Sequence, residues 1–291
     1  MKKINIFCFG FGQVAKSFIK KTYSENYDIN FSVTSRNKSQ KKLFNGISYN
    51  SYLFTKNEFD KNLLVELKNS DHVLISIAPI EGEDIVINNF EKILLDSKPR
   101  WVTYLSATSV YGDHQGAWVS EKSETNPTSS TGIDRLRAEK SWINLALKNK
   151  LPIQIFRLSG IYSNERNILV RLRSEEVKII NKKNHFFSRI HLEDIANILF
   201  KSLSKFKSKE IYNISDDKPS TSEEVTLYGC KLLNLETPKL TDVKSIKNEM
   251  LKNFYKDSKQ VSNKKMKDYF DYKLKYPSYI EGLNYIRNNF I

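Results

Sequence analysis

With 291 residues, 40% of them hydrophobic, the chain is long enough to bury one large core or a core with a smaller attached lobe. Only 7 prolines and 10 glycines, with no fixed-period repeat and no long low-complexity tract, exclude collagen-like, solenoid and largely disordered classes. The formal charge of +14 favours anionic partners, but the lysines are spread along the whole chain, often beside asparagine, as in KNKSQKK and NKKN. That distribution predicts attraction of an anionic cofactor or substrate rather than a nucleic-acid groove.

The opening MKKINIFCFGFG has the charge pattern of an export signal, yet its apolar stretch runs into a glycine turn and a polar helix, so Lys3–Phe9 reads as a first strand. No other window approaches the length of a membrane span, and a cytoplasmic location is expected. Cys8 and Cys230 lie far apart and read as buried free thiols. After the glycines, Val14, Ala15, Phe18 and Ile19 fall at helical spacing. Ile29–Thr34 follows as a strand, Ser39–Phe44 as a short helix and Ser48–Phe54 as a weaker strand. Phe59–Lys68 is a helix, His72–Ile77 a strand, Asp84–Leu95 a helix and Trp101–Leu105 a strand. This alternation predicts an α/β, Rossmann-type, doubly wound and mostly parallel sheet covered on both faces.

From Ala107 to Ser130 polar and turn-forming residues dominate, as in a site-bearing loop. Gly132–Lys148 then reads as an amphipathic helix and Ile153–Leu158 as a strand. Further on, Ile168–Ser174 reads as a helix, Val177–Ile180 as a short strand, Leu192–Leu203 as a helix, Ile211–Ile214 as a strand, and Thr221–Leu233 and Ser278–Asn288 as helices. The expected organisation is a dinucleotide-binding domain over 1–160 and a smaller substrate lobe over 161–291, with the strand near 211–214 returning to the main sheet.

Gly10-Phe11-Gly12-Gln13-Val14-Ala15 places a GxGxxA pattern between a strand and a helix. Gly10 permits the tight turn, Gly12 admits a diphosphate close to the backbone, and Ala15 lets helix and strand pack closely. The amides at the helix start, around Gln13 and Val14, supply donors and positive dipole potential. At the end of the second strand, where an acidic residue would bind the ribose of NAD, the chain has Thr34, Ser35 and Arg36. A hydroxyl and a guanidinium suit the 2′-phosphate of NADP, with NAD as the alternative and solvent exposure as the bland role of Arg36. Ala78 and Pro79 should border the same crevice, with Ser76 facing it or filling space beneath the loop.

The stretches GFGQVA, YLSATSVYGDHQGAWVSE, NPTSSTGIDRLRAEK, FRLSGIY, FSRIHLEDIA, YNISDDKPST and YPSYIEGL together resemble the extended and atypical short-chain dehydrogenase/reductases, in particular the NAD(P)-dependent epimerase/dehydratase-like proteins. The resemblance spans nearly the whole chain. It implies a Ser or Thr after the fifth strand and a Tyr-x-x-x-Lys on the next helix, the tyrosinate acting as acid/base and the lysine lowering its pKa and holding the nicotinamide ribose. Here Ala107 falls at the hydroxyl position, beside Ser106 and Thr108, Thr131 at the tyrosine position and Arg135 at the lysine position. Threonine does not ionise near neutral pH, and arginine is a poor proton shuttle, although Arg135 can still contact the cofactor.

Substitutes for the missing acid/base are Thr108, Tyr111, Asp113 and His114, although the tyrosine of the VYG element is more often structural and the adjacent Asp113 and His114 side chains frequently diverge; Glu121 anchors this loop or contacts a polar substrate. By the resemblance SRIHLEDIA borders the substrate pocket, so His191 and Asp194 are assigned to it rather than to a metal. Arg157 and Arg189 are candidates to counter an anionic substrate, with pairing inside the protein as the equal alternative for Arg157. Two functions follow from these residues. One is an atypical NADP-dependent oxidoreductase or epimerase/dehydratase-like enzyme acting on a small polar or nucleotide-sugar-like substrate. The other is a non-catalytic dinucleotide-binding redox sensor or scaffold. A monomer or weak homodimer is expected, with Trp142 in a helical interface or in the core.

Overall fold

The computed structural model describes residues 3–174, 177–182, 184–242, 252 and 255–291. The sheet strands come first: β1 (Lys3–Phe9), β2 (Asp28–Ser35), β3 (Gln40–Phe44), β4 (Ile47–Leu53), β5 (His72–Ile75) and β6 (Trp101–Ala107). Interleaved with them are helices α1 (Gln13–Ser24), α2 (Leu63–Lys68) and α3 (Ile85–Ser97). Then follow β7 (Trp118–Val119), α4 (Ser130–Asn149), β8 (Ile153–Leu158), β9 (Gly160–Tyr162), α5 (Ile168–Arg173), β10 (Ile179–Asn181), β11 (Arg189–His191) and α6 (Leu192–Ser202). The last elements are β12 (Glu210–Ile214), α7 (Ser222–Leu233), β13 (Leu240–Asp242), β14 (Gln260–Val261) and the helices Lys264–Phe270 and Tyr279–Phe290.

Eight strands form the main sheet in the order β12-β8-β6-β5-β1-β2-β4-β3. Pairs β1/β2, β1/β5, β5/β6 and β2/β4 are parallel, while β3/β4 is antiparallel. HVLI of β5 and IQIFRL of β8 are buried at every position. Such uninterrupted runs belong to central parallel strands with both faces covered. The helix ends are set by local chemistry: Asp84 accepts from the Val86 and Ile87 amides to start α3, and Thr221 with Glu224 forms a capping box on α7.

One predicted element changes type. Ser39–Phe44 was expected as a helix, whereas Gln40–Phe44 is a strand whose Phe44 faces Ile47 across a two-residue turn. Asn45 and Gly46 both have positive φ (49° and 77°), the type I′ geometry whose twist suits adjacent antiparallel strands. The Asn-Gly pair between these segments was the signal for it.

The chain forms two compact units, interleaved along the sequence rather than divided at residue 160. The first comprises Met1–Ser106, Asp134–Arg157 and Ile195–Tyr212, and the second Ala107–Ile133, Leu158–Asp194 and Asn213–Ile291. The strand at 210–214 joins the main sheet at its edge, beside β8. In the first unit Phe7, Phe90, Val102, Trp142 and Ile153 are among the core residues. Trp142 is fully buried and donates through Nε1 to Asp84 Oδ2 at 2.7 Å, which places it in the core. In the second, Tyr162, Leu169, Val225 and Leu283 form a separate cluster. Cys8 and Cys230 are free and buried, and desolvation pushes the Cys8 thiol up to about 12.

Candidate functional site

The glycine turn follows β1. Gly10 has φ of 86°, and a Cβ there would stand 2.7 Å from Ile77 Cγ2 and 2.9 Å from Ser76 Oγ. Its N–H donates to Thr34 Oγ1 at 2.9 Å, tying the turn to the end of β2. Ser76 donates to the carbonyls of Phe9 (2.9 Å) and Gly10 (3.3 Å), so its hydroxyl pins the turn from below. At Gly12, by contrast, a Cβ would meet nothing within 4 Å. Gly12 precedes α1, which has no side-chain cap and no acidic residue in its first turn. Gln13 is half-buried, while Val14 and Ala15 pack inward. A tight turn, open space before a helix and an uncapped positive helix end fit a diphosphate.

At the end of β2, Ser35 is half-buried and shares a hydrogen bond with Ser51 Oγ at 3.2 Å, and Arg36 is exposed. After β5, Ala78 is exposed and Pro79 half-buried. In the same unit Arg135 is half-buried on α4 and donates from Nη1 to the Leu105 carbonyl at 2.9 Å, which fixes its guanidinium beside β6. Ser106, on that strand, is 2% exposed, and its hydroxyl has no partner among the described residues.

The second unit contains the long loop. Thr108 begins a 3-10 turn and is buried. Tyr111 is fully buried and donates to Asn213 Oδ1 at 2.7 Å. Asp113 accepts from the amides of Ser258 (2.8 Å) and Gln115 (3.1 Å); burial pushes its pKa up, but these donors with Lys182 and Lys259 outweigh that and hold it below the usual carboxylate range. Glu121 accepts from the Asn213 amide at 2.8 Å. Each of these three side chains thus ties the loop to a distant segment. Thr131 is exposed in the first turn of α4, one turn before Arg135. Its side chain cannot supply the tyrosinate.

Residues 258–262 strap the same loop: the amides of His114 and Gly116 donate to the Ser258 carbonyl, and Lys259 Nζ donates to the Gly112 carbonyl at 2.8 Å. Burial lowers the Lys259 pKa against the opposing effect of Asp257 and Asp113. The composition of the segment carries no signal for this buried lysine, since its partners are far away in sequence.

His191 is buried between tyrosines, its ring centroid 4.0 Å from that of Tyr276 and 5.0 Å from that of Tyr162; desolvation lowers its pKa to about 4. Asp194 accepts from the Tyr272 hydroxyl and from the Lys275 and Tyr276 amides, clamping the segment before the last helix. Arg157 is bound by Glu139 inside the first unit. Arg189 donates to the carbonyls of Phe187 and Ser220, and burial lowers its pKa. Among the described residues no group of three His, Cys, Asp or Glu side chains is placed to hold a metal, and no helix is long and apolar enough to cross a membrane.

No protein-family model and no curated protein matches the chain. Solved structures do. The UDP-N-acetylglucosamine 4-epimerase from Bacillus cereus is 17% identical, with a TM-score of 0.78 over 98% of both chains. The dTDP-glucose 4,6-dehydratase from Bacillus anthracis, solved in complex with NAD, is 17% identical, with a TM-score of 0.74 over 98% of this chain and 96% of that one. The chain therefore shares the fold of this epimerase and this dehydratase, as the sequence motifs implied. A functionally unknown conserved protein from Silicibacter pomeroyi DSS is 31% identical, with a TM-score of 0.86 over 98% of this chain and 99% of that one. The chain belongs to one family with that protein.

Proposed function

We propose that the chain binds NADP(H) at the Gly10–Gly12 turn and acts as an atypical oxidoreductase or epimerase/dehydratase-like enzyme on a small polar or nucleotide-sugar-like substrate. The observation that carries this reading is the pairing of a turn locked by Thr34 and Ser76 with open space at Gly12 before an uncapped helix. The backbone around Gly12, Gln13 and Val14 holds the diphosphate, Ser35 and Arg36 the 2′-phosphate, Ala78 and Pro79 flank the crevice, and Arg135 steadies the ribose end. A bound nicotinamide supplies or accepts hydride. Thr131 cannot stand in for the tyrosinate, and Tyr111 and Asp113 are committed to holding the loop. Thr108 remains the hydroxyl to orient a substrate carbonyl, with the proton drawn from substrate or solvent. The protein works in the cytoplasm as a monomer or weak homodimer.

Those same commitments of Tyr111 and Asp113 favour a second reading, a sensor or scaffold that binds the dinucleotide without turnover. Fluorescence titration with NADPH and NADH, followed by nicotinamide oxidation against carbonyl compounds and nucleotide sugars, separates the two. Turnover establishes the enzyme, saturable binding with no turnover across the panel supports the sensor, and no binding of either nucleotide overturns both. Replacement of Arg36 by alanine should weaken NADPH about 10–100-fold and leave NADH unchanged, since one charge-assisted phosphate contact is lost.

A further inference from the structure

The segment that runs from β2 through β4 is unusual in charge and in form. From Ile29 to Asn57 it contains no aspartate or glutamate, and it carries Arg36, Lys38, Lys41 and Lys42. None of these four is ion-paired among the described residues, whereas Lys56 is met by Glu81 and Glu83. The segment is an arm built as a hairpin. At its root Ser39 Oγ accepts the Leu53 amide at 2.9 Å, and at its tip Asn45 and Gly46 make the turn.

The arm also touches the glycine turn. Phe11, between Gly10 and Gly12, has its ring centroid 5.2 Å from that of Phe44 in an edge-on contact, 5.2 Å from that of Tyr49 and 5.7 Å from that of Phe31. Such contacts add a directional preference to the burial of the rings. Phe44 lies in neither of the segments assigned to the phosphates, yet it joins them.

We propose that Phe44 is a positioning residue for cofactor discrimination, locking the hairpin to Phe11 so that the glycine turn and the Arg36–Lys38 root are held in fixed relation. This rests on the NADP reading above. A dinucleotide with a 2′-phosphate carries two anionic groups joined by a short adenosine ribose, and both are met at once only if turn and root are preorganised. Without the lock the arm must be ordered on binding, and that cost falls on the ligand that uses the arm. NADH, which has no 2′-phosphate, is affected less.

The test is to titrate the full chain and its variants with NADPH and NADH and to compare the ratio of the two affinities, with thermal unfolding as a check on folding. Phe44→Ala should lower the NADPH preference about tenfold, the scale of one lost aromatic contact. Phe44→Tyr should restore it, and Leu43→Ala, on the opposite face of the strand and 75% exposed, should leave it as in the wild type. Phe44→Leu, expected to give a partial loss, takes the place of the alanine variant if that does not fold. A fall in stability with an unchanged ratio would show that Phe44 only packs and would overturn the proposal. Wild-type protein that shows no NADPH preference would instead overturn the NADP reading itself.

Discussion

Alanine at position 112 is expected to unfold the second unit, or to destabilise it by more than about 4 kcal/mol, beyond the range of ordinary point substitutions. Gly112 follows the 3-10 turn with φ 72° and ψ −149°, a conformation reserved for glycine. A Cβ there would lie 1.8 Å from the Asn126 carbonyl oxygen and 2.7 Å from its carbon. Both are backbone atoms, and Gly112 and Asn126 are bridged with Asn126 N–H donating to Tyr111 O, so neither side can swing away. Gly46→Ala is the internal comparison. It also has positive φ, but a Cβ there would meet nothing within 4 Å, so only the left-handed backbone cost of about 1–2 kcal/mol applies. Urea denaturation of the two variants measures the difference, and equal losses would sink the steric argument.

Breaking the Glu139–Arg157 pair from one side should cost about 3–5 kcal/mol. Arg157 Nε donates to both carboxylate oxygens at 3.1 and 3.2 Å and Nη2 to Oε2 at 2.7 Å, with the two side chains 4% and 3% exposed. Glu139→Leu takes the ion-pair partner from a buried guanidinium, and Arg157→Leu takes it from a buried carboxylate. The double leucine variant, with neither charge, should recover most of the loss, because the penalty lies in the uncompensated charge. A double-mutant cycle by chemical denaturation measures this coupling; additive losses would mean that the pair is not the source of the effect.

The parallel framework was legible because its signals are local. HVLI and IQIFRL announce central strands by unbroken hydrophobicity, and Asp84, Thr221 with Glu224, and Ser278 announce helix starts within a few residues of the amides they cap. The glycine turn was legible for the same reason. The helix expected over Ser39–Phe44 gave way to a hairpin because the Asn-Gly turn that follows it favours antiparallel pairing with the next strand. The structural role of Tyr111 was legible only as one alternative, from its place in the VYG element, and the partners of Tyr111 and Asp113 were not legible at all. Their partners, Asn213 and Ser258, stand 102 and 145 positions away, and no local pattern distinguishes a side chain that anchors a loop from one that reaches a substrate. The short pair β7/β14 was missed likewise, since two-residue strands have no periodicity to read.

The antiparallel strand β3 also decides how the sheet ends. Without it β4 would be the terminal strand, and its ISYNSYL would offer a row of open hydrogen-bonding groups to any other extended chain. Pairing from Gln40–Ser51 through Phe44–Ile47 closes that row and moves the margin to a strand bearing Lys41 and Lys42. Two such margins repel each other, and the lysine pair keeps the exposed Leu43 between these charges and the turn from becoming a point of edge-to-edge aggregation.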